Sequence, residues 1–191
     1  MALSSTPRSR ATRERILEAA RTAFAMHGYD GATLRNIALQ AETNVALVIR
    51  YFHSKDDLFA MAANFDLGLP SLGELDRNSL GELMVTHFLA IWEDSRTGRE
   101  LVALLRAASS HAAAKSRMQQ IFHRQLIGAI TSLGFPPEEA AVRASFVASQ
   151  MLGFALIRYV LEFDSLNLDR KTVVQVLSRT IQHYLTQPLT P

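Results

Sequence analysis

Between residues 33 and 58 the chain reads TLRNIALQAETNVALVIRYFHSKDDL, and its polar and apolar residues fall at spacings suited to gripping a charged polymer. Leu34, Ile37, Ala38 and Ala41 recur at i, i+3, i+4 and i+7 and would bury one face of a short helix. Val48 and Phe52 do the same for a second helix, over residues 45–52. Thr33 and Asn44 stand where a side-chain oxygen can accept from the open N–H groups of each first turn. Ser54 begins a third helix, with Asp56 and Asp57 at its positive end. Two short helices joined by about three residues have helix-turn-helix geometry, in which the second helix enters a DNA groove. The positions turned away from Val48 and Phe52 are Thr43, Asn44, Val45, Ala46, Ile49 and Arg50. Arg50 is the one long donor among them and could grip guanine or a phosphate bidentately, or stand as a solvated surface arginine. Val45, Ala46 and Ile49 offer apolar contact, such as to thymine methyls.

Other chemistries lack their residues. The chain has no cysteine, which rules out disulfides and thiolate metal sites. It carries no Gly-rich phosphate loop, nucleophile elbow or helical HExxH pattern. Its six histidines are scattered, with no pair at metal-ligand spacing beside a carboxylate. Neither an enzyme nor a cofactor is expected. No stretch approaches about 20 uninterrupted apolar residues, and the arginine-bearing N-terminus has no apolar core, so neither a membrane partner nor a secretory signal is expected.

The elements that would position the 33–58 segment are all helical. With 191 residues, 48% apolar and 20% charged, the chain can bury a core. Residues 1–9 are Ser/Thr/Pro/Arg-rich and read as a disordered arm, whose arginines could follow a minor groove or hang free. A first helix spans 11–27, with Ile16, Ala19, Ala20 and Phe24 inward and Gly28 just past its end. The fourth runs from 55 past 65. Gly68, Pro70 and Gly73 break continuity over 68–78. Helices follow at 79–94, 99–111, 115–133, 136–163 and 169–186. Pro136, Pro137, Glu138 and Glu139 open the longest. The fold class is therefore all-α: a three-helix helix-turn-helix domain over 1–58, then a larger helical domain over 59–191. Charge divides the same way. Residues 1–55 hold eight basic and four acidic side chains (+4), and the remaining 12 basic and 14 acidic give −2. A basic end suits phosphate contact and counterion release.

Reading outward from this segment, Arg15-Ile16-Leu17, Ala19-Ala20, Phe24, Gly28-Tyr29, Ala32-Thr33, Ile37-Ala38, Ala41, Tyr51-Phe52, Ser54-Lys55 and Leu58 stand at a characteristic spacing. Over about residues 12–60 the chain resembles the TetR family of transcriptional regulators. Ser149-Gln150, Gly153, Arg158-Tyr159-Val160-Leu161 and Asp164-Ser165-Leu166 are similar to the C-terminal helices of one actinobacterial-type branch. The resemblance implies that Thr33, Arg35, Tyr51 and Lys55 grip the phosphate backbone of a double-stranded DNA operator. It also implies a homodimer formed by the last two helices. Their small residues, Ala140, Ala141, Ala144, Ser145, Ala148, Ser149, Gly153 and Ala155, fit either close approach across a two-fold axis or a plain core. The last implication is a helical domain that senses a small-molecule effector and releases the DNA, in a cytoplasmic repressor. Phe88, Trp92, Leu104, Met118, Phe122, Met151 and Phe154 could wall its cavity or serve simply as core. Polar candidates are His87, His111, His123, Gln150 and Arg158, and Arg158 needs a partner, with Glu162 at i+4 nearest. Two positions depart from the family pattern: Glu42 stands where glycine is common and Ile49 where tyrosine is. They leave open a rival reading, a helical small-molecule-binding protein with a weakened DNA-binding head.

Overall fold

In a computed structural model, which describes residues 7–189, ten α-helices carry the chain and no strand occurs among the described residues. They are α1 Pro7–Gly31, α2 Leu34–Gln40, α3 Val45–Phe52, α4 Lys55–Ala62, α5 Leu80–Trp92, α6 Thr97–Ala107, α7 Ala112–Ile121, α8 Gly128–Thr131, α9 Pro137–Ala155 and α10 Arg170–Thr186. Wider π-helical turns, Phe122–Ile127 and Leu156–Val160, link α7 to α8 and extend α9. Two compact units result, each assembled from two stretches of chain. Residues 7–64 combine with 99–118, and 65–98 combine with 119–189.

In the first unit, α1 packs on α2 and α4, and α3 closes against both. Ile16, Ala20, Phe24, Ile37, Ala38, Val48, Phe52 and Leu58 are buried, as the 3.6-residue spacing predicts. Gly28 takes a positive φ of 68° and breaks the helical path of α1, the role a glycine past a helix end performs. Residues 7–9, expected to belong to a free arm, instead form the first turn of α1, where proline lacks only a donor that would be unsatisfied anyway. The rest of that expected arm, residues 1–6, lies outside the described residues. Helix α4 stops at Ala62 rather than running past Phe65. Arg117 Nε donates to the Ala63 carbonyl at 2.9 Å, taking an acceptor that a longer helix would use internally.

In the second unit, α5 lies along α10, burying Leu80, Met84, Val85 and Leu89 against Val173, Leu177, Ile181 and Leu185. Gly81 permits the approach: a Cβ there would stand 2.3 Å from the Ser178 carbonyl oxygen. The Gly81 N–H donates to Gln182 Oε1 at 2.7 Å, and Gln182 Nε2 donates to the Arg77 carbonyl at 2.6 Å. Before α5, Gln125 pins an extended segment, accepting from Leu67 N–H at 2.6 Å and donating to Phe65 O at 2.8 Å. Helix α9 with its π-helical extension, Pro137–Val160, is long and apolar enough to cross a membrane by composition alone. It contains a buried charge, Arg143, whose Nε and Nη2 meet Glu139 Oε1 at 2.9 and 2.7 Å. Its Nη1 donates to the carbonyls of Tyr184 and Gln187, tying the start of α9 to the end of α10.

Candidate nucleic-acid interface

The turn that aims α3 is a Schellman motif. Thr43 N–H reaches back to Ala38 O at 2.9 Å and Glu42 N–H to Leu39 O at 3.1 Å, while Glu42 takes φ 51°. Glycine is the usual residue there because a Cβ is strained at positive φ; the acid holds the conformation and points its charge into solvent. Thr33 Oγ1 accepts from Asn36 N–H at 3.1 Å and Asn44 Oδ1 from Leu47 N–H at 2.9 Å, so both predicted caps form. With its oxygen committed to the cap, Asn44 has only its amide N–H groups left for another partner.

Helix α3 buries Val48 and Phe52 and presents Asn44, Ala46, Ile49 and Arg50 outward; Thr43, Val45 and Tyr51 are half-buried at its edges. Ile49, a large apolar side chain, is 46% exposed. Arg50 lies 5.9 Å from the Tyr51 ring, and Thr33 and Arg35 are exposed at the start of α2. After α3 the backbone turns sharply at His53 (φ 62°, ψ −52°), with Ser54 N–H on Phe52 O at 2.7 Å. This is a γ-turn of the rare positive-φ kind, which nothing in the sequence pattern announced. It delivers Ser54, whose Oγ accepts from Asp57 N–H at 3.0 Å and caps α4. Lys55 then lies half-buried, its Nζ 4.4 Å from the centre of the Tyr29 ring and 3.5 Å from Asp30 O.

The candidate effector residues divide between the units. Leu104, fully buried, and Met118, half-buried, belong to the first. In the second, Phe88 and Trp92 are buried with rings 5.6 Å apart, and Phe154 stands 6.2 Å from Phe88. Tyr159, absent from the sequence-based set, stacks on Trp92 at 5.5 Å and 12°. Its hydroxyl is buried without a hydrogen-bond partner, and burial, then the nearby Glu93 charge, pushes its pKa up to about 12. Arg158 does not use Glu162. It bonds the carbonyls of Leu166 and Leu168 at 2.8 and 3.0 Å and pairs with Glu93 at 3.6 Å. Glu162 has φ 55°, so the helix ends and its side chain is carried off the i+4 track.

Met151 is buried and Phe122 half-buried. Gln150 and Phe154 line a hollow of about 410 Å³ with Gly153, Ile157, Leu168 and Val176, on the α9–α10 surface. A separate open groove of about 750 Å³ on α5 includes His87, which contacts Leu67 O, and none of the apolar wall candidates. His123 is exposed, and His111 faces Asp30. Among the described residues, no group of three or more metal-ligating side chains assembles.

A short capped helix turned outward on a three-helix platform, in a chain that also carries a second helical unit, defines a helix-turn-helix regulator fold. Residues 16–62 match the model described as "Bacterial regulatory proteins, tetR family", and residues 78–185 match "Tetracyclin repressor-like, C-terminal domain". The chain belongs to the TetR family. An HTH-type transcriptional repressor of Streptomyces coelicolor is 46% identical over 50 residues, 26% of either chain. The HTH-type transcriptional repressor AcnR of Corynebacterium glutamicum is 38% identical over 55 residues, 29% of either chain. These matches span under a third of the curated relatives' length. A TetR-family regulator from Streptomyces coelicolor is similar over 97% of this chain and 100% of its own, with 29% identity and TM-score 0.62. NalD, the secondary repressor of the MexAB-OprM multidrug efflux pump in Pseudomonas aeruginosa, shares the fold at TM-score 0.68 and 22% identity, over 94% of this chain and 98% of its own.

Proposed function

We propose that the chain is a homodimeric transcriptional repressor of the cytoplasm, held on a double-stranded DNA operator by α3 and released by a small-molecule effector. One observation carries the reading: α3 is capped and anchored by Asn44, Val48 and Phe52 while Ala46, Ile49 and Arg50 are left outward with no role in the fold. Arg50 reads a base, Ala46 and Ile49 contact thymine methyls, and Thr33, Arg35, Thr43, Val45, Tyr51 and Lys55 seat the helix against phosphates and the groove edge. Residues 1–58 form the reading head and 59–191 the effector-binding and dimerising part. The exposed apolar side chains of α9 and α10, among them Val142, Phe146 and Val176, support pairing with a second copy. The aromatic cluster of Phe88, Trp92 and Phe154, with Arg158 beside it, supports a mostly apolar effector of moderate size. No catalytic step is assigned to any residue.

Gel shift against a library of random duplexes tests the reading, followed by the selected duplex with and without a compound shown by calorimetry to bind the protein. A selected consensus, weakened on compound binding, is the expected result; an effector shifts the balance only by its preference between the two arrangements, typically about 1–3 kcal/mol. Compound binding with no duplex selected would favour the rival reading, for which the charge of Glu42 beside the recognition helix speaks. A consensus indifferent to every bound compound would leave a constitutive DNA-binding protein.

A further inference from the structure

Lys55 does not project freely from α4. Its ammonium sits over the Tyr29 ring at 4.4 Å and donates to the Asp30 carbonyl at 3.5 Å. Tyr29 is itself fixed on several sides. Phe59 meets its ring edge-on at 5.2 Å, Phe24 stacks at 6.1 Å, and its hydroxyl donates to Asp56 Oδ1. His111, from the loop after α6 and within the same compact unit, brings its ring to 4.1 Å from that of Tyr29. Its Nε2 lies 3.3 Å from Asp30 Oδ2. The residues that hold Lys55 thus lie 25 positions or more away in sequence, and one comes from the stretch between α6 and α7.

We infer that Tyr29 and Asp30 are positioning residues for Lys55 as a phosphate contact, and that His111 holds them in place. An exposed lysine surrenders side-chain freedom when it is ordered on a phosphate. A lysine already resting on an aromatic face and a carbonyl has surrendered part of it beforehand. The Asp30 carbonyl and the ring attract the ammonium without neutralising it, so its charge remains available to the DNA. His111 makes the arrangement sensitive to the loop that carries it. Movement of that loop reaches Lys55 through two contacts, the imidazole on the Tyr29 ring and the imidazole on the Asp30 carboxylate.

This rests on the DNA-binding reading, and one set of titrations separates the two. Binding of a selected duplex by fluorescence anisotropy, over a range of salt concentrations, is measured for the wild type, Lys55→Met, Tyr29→Leu, Tyr29→Phe, His111→Leu and each double variant with Lys55→Met. Lys55→Met should lower the slope of log affinity against log salt by about 0.9 per head, an affinity loss of about fivefold near 0.15 M salt. Tyr29→Leu and His111→Leu should lower affinity and slope in the wild-type background and do nothing further in the Lys55→Met background. Tyr29→Phe, which keeps the ring, should restore the wild-type slope. Full additivity with Lys55→Met, or a Tyr29→Phe as damaged as Tyr29→Leu, would overturn the positioning role while DNA binding stands. If Tyr29→Leu loses its helical circular dichroism, the His111→Leu cycle decides alone: non-additivity supports the role and additivity ends it. Failure of the wild-type protein to select any duplex would instead remove the DNA-binding reading, and this inference with it.

Discussion

Glu42 and Arg50 sit eight residues apart on the same motif and do opposite kinds of work. Glu42 holds φ 51° at the C′ position of α2, a conformation that costs a side-chain-bearing residue roughly 1–2 kcal/mol. Glu42→Gly removes that strain and adds unfolded-state freedom costing about 0.4–1 kcal/mol. A net stabilisation of about 0.5 kcal/mol is expected from these two terms, read as a higher melting temperature. DNA affinity should rise with it, since a negative charge leaves the phosphate side; a lower melting temperature would show that the glutamate makes a contact outweighing its strain. Arg50 is exposed and lies 5.9 Å from the Tyr51 ring, so Arg50→Ala should leave stability unchanged within about 0.5 kcal/mol. At the selected operator it should cost roughly 1–3 kcal/mol and relax preference at one base position. Equal loss on all duplexes would make Arg50 a phosphate contact instead.

In the second unit the apolar faces of α5 and α10 meet at a close crossing, and α10 opens on a side-chain cap. The α5–α10 crossing depends on Gly81, where an added methyl meets the Ser178 oxygen at 2.3 Å and Gln182 N at 2.7 Å, both backbone atoms that cannot swing aside. Gly81→Ala should therefore destabilise by about 1–3 kcal/mol despite the helix propensity it adds, measured by urea unfolding. Stabilisation would mean that the two helices can separate at little cost. At the head of α10, Asp169 accepts from Thr172 N–H at 2.9 Å and from its hydroxyl at 2.7 Å. The hydroxyl bond, then the backbone bond, holds its pKa below the ordinary 3.8. A folded value below the unfolded one means that this stabilisation is present above about pH 4 and disappears as pH falls through the folded value. Asp169→Ala should melt earlier than wild type at pH 7, with the gap closing in strong acid. A gap that persists at pH 2 would assign the cap to something other than the ionised carboxylate.

At the scale of the molecule, α9 and α10 share an exposed face. Ala140, Ala144, Val147 and Ala155 of α9 are buried in its own unit, whereas Val142, Phe146, Ser145 and Ser149 are exposed. Of the small residues, Ala140, Ala144 and Ala155 are core, while Ser145 and Ser149 are exposed on the face proposed for pairing. Phe146, 46% exposed, is stacked on Tyr184 of α10 at 5.3 Å, and Val176 is 66% exposed. Gly153 opens onto free space and helps line the 410 Å³ hollow. Phe146→Glu and Val176→Glu place charges on this face without touching the core. Each should yield a folded monomer by sedimentation and lose operator binding by the head pair, because two half-sites need two linked heads. A stable dimer in both variants would move the interface elsewhere.

Apolar spacing, caps and charge distribution were enough to read the helical elements and the helix-turn-helix, because those features are local: a cap acts within three residues and a helix face repeats within four. Thr33, Asn44 and Ser54 cap as their positions predicted, and Val48 and Phe52 are buried. The positive φ at Glu42 was foreshadowed only by the resemblance to a family in which glycine is common at that position. Contacts between residues distant in sequence were not legible. The end of α4 at Ala62 is set with Arg117, the extended segment after it by Gln125, and the partner of Arg158 is Glu93 rather than Glu162. The surroundings of Lys55 depend on Tyr29 and Asp30, 25 or 26 residues away, and on His111, 56 residues away. Such pairings carry no periodic signature, since any side chain of suitable length and charge could have supplied them. Which one does is decided when packing brings the helices together.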